Sequence, residues 1–195
     1  MAEPSSHLVV GLGNIGDECT DTRHNIGFRV LDALVRKRGA EFLAKRRLTS
    51  AVAVAKDAGG KLILAKPLTY MNRSGLAVAA IVGSEGVALK RLLVVLDDAD
   101  LELGRLRLRS SGSSGGHRGL ESIIAVLGSD EFARLQVGVG GGGRGEKQLA
   151  DYVLAKFSRE EQKTVKEATT GAVEAIECWR REGLEKAMNQ FNVKQ

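Results

Sequence analysis

The chain has 195 residues, is 43% hydrophobic, contains only two cysteines (Cys19 and Cys178) and carries a formal net charge of +5. This length supports one good core rather than two, and two cysteines exclude a disulfide framework, which indicates the reducing cytoplasm. We expect neither a membrane span nor a secretory signal, because no apolar run approaches ~20 residues and the first residues lack the signal pattern.

The first predicted strand is the apolar run 8–10, and a glycine-rich turn over residues 11–16 follows it. A polar cluster over residues 22–25 then stands just before a predicted helix over 28–38, which Gly39 is expected to end. Open α/β sheets place their chemistry at the carboxyl ends of strands. We therefore expect this opening stretch to carry part of a functional site.

The remaining elements alternate between strands and helices, apart from one hairpin that predicts a mixed sheet. Ser158 and Glu161 form a capping-box pattern before a long amphipathic helix. The sequence thus predicts a single α/β domain over residues 1–195, with a twisted mixed sheet, helices on both faces, a disordered tail over 1–6 and a helical C-terminal region over 158–195. The predicted strands are 49–55, 61–65, 91–96, 105–109 and 135–139, and the predicted helices are 76–82, 120–127, 149–157 and 158–181.

The spacing Gly11-x-Gly13-x-x-Gly16 after a strand matches the dinucleotide-binding fingerprint, which is a weak signal when it stands alone. That motif works only when a helix begins inside the glycines, so that the helix N-terminus meets the pyrophosphate. Here no apolar helical stripe appears before Phe28, and the next strand ends at Ala55 without a ribose-binding acid. A dinucleotide-binding oxidoreductase is therefore the least favoured alternative.

Several polar side chains follow predicted strands or stand in loops, and they could meet in one cleft. A histidine held by Asp97 through Nδ1 is oriented and made more basic, so His24 could deprotonate water. Asparagine amides could hold a peptide carbonyl or a developing oxyanion. With no serine in a strand-to-helix elbow and no metal-ligand spacing, the pattern predicts general-base hydrolysis of an activated bond, with no metal and no cofactor. The set is Asn14, His24, Asn72, Asp97, His117 and Arg118.

Plainer roles stay open for the same residues. His24 alone could be a helix-entry residue, Asn72 a loop or capping residue, and Met71 part of the core or of the cleft wall. Asp98 and Asp100 compete with the neighbouring Asp97 for the orienting role. Residue type and spacing therefore propose the site without choosing among these roles.

A row of arginines is the main basic feature of the sequence. Residues 105–109 alternate strictly, so a strand there places Arg105, Arg107 and Arg109 on one face. Such a row is often only a solvated strand face. Because the chain is mildly basic overall, the row also fits an anionic partner such as nucleic acid.

Seven sequence blocks span nearly the whole chain: Gly11-Leu-Gly-Asn14, Thr22-Arg23-His24-Asn25-Ile-Gly27, Tyr70-Met71-Asn72-Arg-Ser-Gly75, Val94-Val-Leu-Asp97-Asp, Gly115-Gly-His117-Arg118-Gly119, Asp130-Glu-Phe-Ala-Arg-Leu-Gln-Val-Gly-Val-Gly140 and Asp151-Tyr-Val-Leu. In this order they resemble the bacterial-type peptidyl-tRNA hydrolases. The resemblance implies a monomeric, metal-free, cytoplasmic esterase that cuts the bond between a peptide and the 3′ end of tRNA, and so recycles tRNA released prematurely from ribosomes. It also implies that His24 is the base, that Asp97 orients it, and that Asn14 and Asn72 bind substrate and position the water.

The chain departs from the family pattern at six positions. The family usually has a proline at Ile15, an aromatic at Cys19, and the strand end His-Asp-Glu where this chain has Leu96-Asp97-Asp98. It often has an asparagine at Arg118, and a basic residue is common at Gln136. Arg118 puts the family's substrate amide at that place in doubt, and a guanidinium there could bind phosphate instead. The arginine row could offset the missing base at Gln136.

The main alternative is a protein without catalytic activity: a relative of the same fold that binds RNA but does not cleave it. The intact His24 and Asp97 argue against this alternative.

Peptidyl-tRNA is the only expected partner, and two sets of residues are predicted to bind it. The predicted substrate-binding set is Asn14, Cys19, Tyr70, Met71, Asn72, His117 and Arg118, and the predicted tRNA-binding set is Arg105, Arg107, Arg109, Arg144 and Lys147.

Overall fold

The computed structural model describes residues 6–57, 59–141 and 145–192, and within them it contains seven strands and six α-helices. The strands are β1 (His7–Gly11), β2 (Leu43–Lys45), β3 (Ser50–Asp57), β4 (Gly60–Pro67), β5 (Leu92–Asp98), β6 (Leu106–Arg109) and β7 (Ala133–Gly138). The helices are α1 (Ile26–Arg38), α2 (Ser74–Glu85), α3 (Arg118–Leu127), α4 (Glu146–Val153), α5 (Glu161–Glu182) and α6 (Leu184–Phe191).

The strands form one mixed sheet in the order β2-β3-β4-β1-β5-β7-β6. Strands β4, β1, β5 and β7 run parallel, whereas β3 and β6 run antiparallel to their neighbours. The carboxyl ends of the parallel strands therefore meet at one edge of the sheet, which we call the carboxyl edge. β2 ends at this edge, because Lys45 pairs with Ser50 and Ser50 with Pro67. This arrangement confirms the predicted mixed α/β sheet.

Helices cover both faces of the sheet, because successive strand residues point to opposite sides. On one face α1 and α5 bury Leu31 and Ile176 in the same cluster as Val95 of β5. On the other face α2 and α3 bury Ile81 and Ile123 in the same cluster as the adjacent Val94. Both neighbours in β5 are fully buried, so the prediction of helices on both faces is confirmed.

Glycines allow α1 to lie directly on the end of β1. A Cβ atom at Gly11 would collide with the carbonyl oxygen of Gly27, and one at Gly13 would lie 2.7 Å from Cγ of Phe28. These glycines therefore serve a close helix–strand contact. A dinucleotide-binding motif requires a helix that begins among these glycines. Here α1 begins only at Ile26, so the dinucleotide-binding alternative does not fit.

Several predicted boundaries are confirmed at atomic detail. β3 and β4 form the predicted hairpin, and Gly39 ends α1 in the left-handed conformation at φ 60°. The capping box is also present: the backbone N–H of Ser158 donates to Glu161 Oε2 at 2.6 Å, and that of Glu161 to Ser158 Oγ at 3.4 Å. These local signals depend on few neighbours, which is why the sequence alone predicts them.

Other boundaries differ from the sequence prediction. The sequence misses β2, because its three exposed residues show no apolar alternation. α4 ends at Val153 rather than at Phe157, because the following residues turn to bond with Arg23. Residues 1–5 of the predicted tail lie outside the described residues. Within the described ranges, no helix has the length and apolar character that crossing a bilayer requires.

Candidate active site

His24 and Asp97 meet at the carboxyl edge. His24 lies in the 3₁₀ turn Arg23–Asn25 that leads into α1, and Asp97 lies near the end of β5. Nδ1 of His24 is 2.8 Å from Oδ1 of Asp97, and the two side chains are 13% and 4% exposed. The carboxylate therefore accepts from the Nδ1–H group of the ring, and Nε2 of His24 is left as the basic atom.

His117 is a third member of this cluster. Its Nε2 lies 3.0 Å from the same Oδ1 atom of Asp97, and its Nδ1 accepts from the backbone N–H groups of Gly119 and Leu120 at the start of α3. An atom that accepts two N–H groups carries no proton, so the proton of neutral His117 lies on Nε2. Both nitrogens of His117 are thus engaged, and the ring joins the helix N-terminus to the carboxylate.

The electrostatics of the cluster favour a basic His24 beside an ionised Asp97. Burial raises the pKa of Asp97, but the charges and hydrogen bonds of His24 and His117 lower it by more, to well below its usual range. Burial lowers the pKa of His24, whereas the charge and hydrogen bond of Asp97 raise it by more, so the net direction is upward. The positive charge of Arg118 acts in the opposite direction on His24.

The facing atoms of His24, Asp97 and His117 all lie within 4.8 Å of one another, a spacing that a metal ion could bridge. Binding a metal through Nε2 of His117 would move its proton to Nδ1, where it would face the two N–H groups that Nδ1 now accepts. The hydrogen bonds of this cluster therefore favour protons over a metal at this position.

Asn25 fixes the backbone of Asn14 beside the cluster. Its Oδ1 accepts from the Asn14 N–H at 2.8 Å, and its Nδ2 donates to the Asn14 carbonyl at 2.9 Å. Among the described residues, no hydrogen bond engages the side-chain amide of Asn14. Asn14 therefore has its main chain fixed by the residue that follows His24, while its side-chain amide has no hydrogen bond among the described residues.

Arg23 attaches the His24 turn to the C-terminal part of the chain. The guanidinium donates to both oxygens of Glu161 at 2.9 and 2.7 Å, and to the carbonyls of Ala155 and Lys156. Its Cζ atom lies 4.3 Å from the ring centroid of Tyr152. Arg23 is buried, so these contacts compensate a charge that would otherwise be costly to remove from water. We refer to these contacts of Arg23 as the Arg23 clamp.

Arg134 of β7 holds the loop that leads to His117. Arg134 is 1% exposed as a residue. Its guanidinium donates to the carbonyls of Gly112 and Ser113 in the loop, and to those of Asp130 and Phe132. Main-chain carbonyls are thus the acceptors of this buried cation. Arg134 thus holds the loop that leads to His117 through the main chain at Gly112 and Ser113.

The predicted substrate-binding residues lie at different depths around the cluster. Met71 is buried, and a Cβ at Gly119 would lie 2.5 Å from its Sδ, so Met71 packs against the start of α3 as part of the wall. Asn72 is exposed in the turn Met71–Arg73, and Tyr70 before it is 69% exposed. Partial burial and the Glu18 carboxylate raise the pKa of the Cys19 thiol, which is unfavourable for a nucleophile.

The predicted tRNA-binding residues differ in their exposure and in whether a neighbouring carboxylate compensates their charge. Arg107 donates to Gln136 Oε1 at 2.9 Å and to Asp98 Oδ2 at 2.7 Å, so its charge is partly compensated. Arg109 and Lys147 are exposed, Arg105 is half-buried, and Arg144 lies outside the described residues. Asp98 is committed to Arg107 and Gln136, which leaves Asp97 as the carboxylate beside His24.

The sequence predicts that the polar cluster 22–25 contributes to the site, but it misses the positioning roles of Arg23 and Asn25 and misses Arg134 altogether. Asn25 and Arg23 flank His24 in the chain, and their burial is the signal that separates them from ordinary surface residues. Arg134 interrupts an apolar strand between Ala133 and Leu135. A charged residue in a buried strand predicts a specific partner, although the sequence does not say which one.

Known proteins match nearly the whole length of this chain, in sequence and in structure. The sequence model of the family described as peptidyl-tRNA hydrolase matches residues 8–195. The peptidyl-tRNA hydrolase of a Synechococcus species is 47% identical over 190 residues, covering 97% of this chain and 84% of that relative. The one from Desulforudis audaxviator is 48% identical over 185 residues, covering 95% and 92%. The crystal structure of peptidyl-tRNA hydrolase from Acinetobacter baumannii is similar at a TM-score of 0.92, with 31% identity, and covers 100% of this chain and 98% of that one.

Proposed function

The chain belongs to the peptidyl-tRNA hydrolase family, and we propose that it hydrolyses the ester bond between a peptide and the 3′ end of tRNA with His24 as the general base. The observation that carries this role is the 2.8 Å contact between Nδ1 of His24 and Asp97, which leaves Nε2 to act on water. Asp97 stays ionised, fixes the tautomer and stabilises the imidazolium that forms.

The chemical steps require only groups of this chain and one water molecule. Nε2 of His24 takes a proton from water as the water oxygen attacks the ester carbonyl carbon. The tetrahedral intermediate then expels the ribose 3′-oxygen, which receives the proton from the imidazolium. A 3′-oxygen beside a hydroxyl is a good leaving group, so a base and oriented donors suffice.

The side-chain amides of Asn14 and Asn72 have no hydrogen-bond partner in the described part of the chain. They support recognition of any peptide, because main-chain amides are common to all peptides. Asn14 sits on a backbone fixed by Asn25, and Asn72 is exposed in its turn. An amide offers both a donor and an acceptor, which matches a peptide unit and the developing oxyanion. Cys19, Tyr70, Met71, His117 and Arg118 complete the proposed substrate-binding set.

We place the acceptor-arm phosphates of tRNA on the flank of the cleft next to β6. Arg105 and Arg107 lie at the end of β6 next to the carboxyl edge, and Arg118 lies at the start of α3. Arg109 lies at the other end of β6, opposite Arg134 near the start of β7, and Lys147 is exposed in α4. Arg109 and Lys147 are assigned to the same surface by charge. Binding through these charges falls with rising salt, because counterions are released when phosphates are neutralised. Arg105, Arg107 and Arg144 belong to the same proposed set, and the enzyme is proposed to act as a monomer in the cytoplasm.

The proposal is tested by incubating the protein with N-acetyl-aminoacyl-tRNA and following the release of free tRNA. We expect release that a chelator does not affect. Retained tRNA binding without release at any enzyme concentration would instead indicate an inactive RNA-binding relative. Inhibition by a chelator that a divalent metal reverses would contradict the metal-free mechanism.

A further inference from the structure

One corner of the carboxyl edge carries three consecutive cations that the proposed mechanism does not use. Lys45 ends β2, and Arg46 and Arg47 begin the 3₁₀ turn that leads to β3. All three are exposed, and none takes part in a salt bridge among the described residues. We call Lys45, Arg46 and Arg47 the basic corner.

The basic corner is continuous with the wall of the cleft. Thr49 closes its turn in the left-handed region, at φ 45°. The carbonyl of Thr49 accepts from the N–H of Leu68 at 2.8 Å, and Leu68 is two residues before Tyr70 in the segment that carries Asn72. The corner therefore has a fixed position relative to the proposed substrate amide.

The corner lies on the flank opposite the one to which we assign tRNA. β2 is at one end of the strand order and β6 at the other, with the catalytic pair between them. The ester joins a tRNA to a peptide, so the two halves of the substrate leave the reacting carbon in different directions. With tRNA on the β6 flank, the peptide extends toward the β2 flank.

The neighbours of the basic corner fit a peptide better than a phosphate backbone. Leu43 is 55% exposed, Leu68 38% and Tyr70 69%. A surface that mixes apolar side chains with cations suits peptides with apolar and acidic residues, whereas a phosphate backbone gives the apolar side chains nothing to pack against. The acidic residue nearest to the corner in the sequence is the exposed Glu41, which precedes β2.

We propose, on the premise of the function given above, that the basic corner binds the peptide part of the substrate and favours acidic residues in it. Strands in a sheet lie about 4.8 Å apart, so the four steps from β5 to β2 place the corner about 19 Å from Asp97. An extended peptide covers this distance in about five or six residues. The basic corner therefore favours an acidic side chain at roughly the sixth peptide residue from the ester.

The test compares three substrates that share one tRNA: an N-acetyl-aminoacyl group, a ten-residue peptide with glutamates around the sixth position from the ester, and the same peptide with glutamines. The variant is Arg46→Gln/Arg47→Gln. Its matched control is Arg36→Gln/Lys37→Gln, two adjacent exposed cations near the end of α1 that is remote from the cleft. KM is measured by tRNA release, and Kd by anisotropy in the His24→Ala background, where substrate stays intact.

For the protein without these changes, we expect the glutamate peptide to have a KM and a Kd about three- to tenfold lower than the glutamine peptide, the size of one or two exposed ion pairs. The corner variant removes this difference and leaves the N-acetyl-aminoacyl substrate unchanged, whereas the control variant keeps the difference. Equal affinity for both peptides in the unchanged protein would overturn the proposal. Equal loss for all three substrates would overturn it in favour of a tRNA contact. Absence of release from every substrate would contradict the proposed function, while the binding measurements would still decide on the corner.

Discussion

The turn that carries His24 and the N-terminus of α3 that carries His117 each bring a histidine to the same oxygen of Asp97, with opposite consequences. His24 uses Nδ1 for this contact and keeps Nε2 free. His117 uses Nε2 for it and commits Nδ1 to the backbone of α3. The second nitrogen of each ring therefore decides its role: His24 can move a proton, and His117 holds its position.

Replacing His24, the ring whose Nε2 atom is free to take a proton, has the largest expected effect. His24→Ala removes the base, so kcat falls by about 10²–10⁴, the usual contribution of general-base catalysis. The Kd for tRNA stays unchanged, because the proposed phosphate contacts lie elsewhere. Single-turnover release and equilibrium binding measure the two quantities. A variant that retained a tenth of the activity would remove His24 from the role of base.

Changing the shared acceptor tests both histidines together. Asp97→Asn keeps the shape of the side chain but removes its charge, so His24 loses its preferred tautomer and the stabilisation of its protonated form. We expect kcat to fall by about 10²–10³ and the acidic limb of the kcat/KM profile to move to lower pH, because Asp97 raises the pKa of His24. Unchanged turnover would remove the orienting role from Asp97. Thermal unfolding of the variant controls for loss of the fold.

Replacing His117 tests whether this ring only positions Asp97 or also takes part in proton transfer. Asparagine caps helices well, so His117→Asn keeps α3 capped but removes the donor to Asp97. The full charge of Asp97 then acts on His24, and the acidic limb of kcat/KM moves to higher pH. We expect kcat to fall only about tenfold, the size of one hydrogen bond. A loss as large as that of His24→Ala would contradict a purely positioning role for His117, because both rings would then take part in proton transfer.

The smallest expected effect concerns Arg118, which shares the start of α3 with His117. Its charge lowers the pKa of His24, so Arg118→Asn moves the acidic limb of kcat/KM to higher pH. The shift is below about one pH unit, because Arg118 is exposed and screened by solvent and salt. Arg36→Gln, on the exposed end of α1, is the matched control and leaves the limb in place. A shift independent of ionic strength would argue for a direct contact instead.

The sequence predicts the parts of the fold that depend on local pattern. The hairpin, the buried strands and the Gly39 helix end all follow from spacing within a few residues. The pairing of His24 with Asp97 also follows, because the carboxyl ends of parallel strands meet at one edge. These features need no knowledge of which distant side chains touch.

The positioning roles cannot be predicted in this way, because they depend on contacts between distant segments. The proton position on His117 follows from the backbone of α3 and from Asp97 together. The partners of Arg134 are carbonyl oxygens, which every residue possesses and no sequence pattern marks. β2 exists only because β3 is beside it. These features can therefore be identified only in the folded structure.

The Arg23 clamp has a consequence for synthesis of the protein. It joins the His24 turn to Glu161, which is 138 residues further along the chain. While the chain is still being translated, it is itself a peptidyl-tRNA, the same chemical species as the proposed substrate. The turn that bears the base has no Glu161 partner until most of the chain has left the ribosome. The surroundings of the base are therefore completed late in synthesis, when Glu161 becomes available to Arg23.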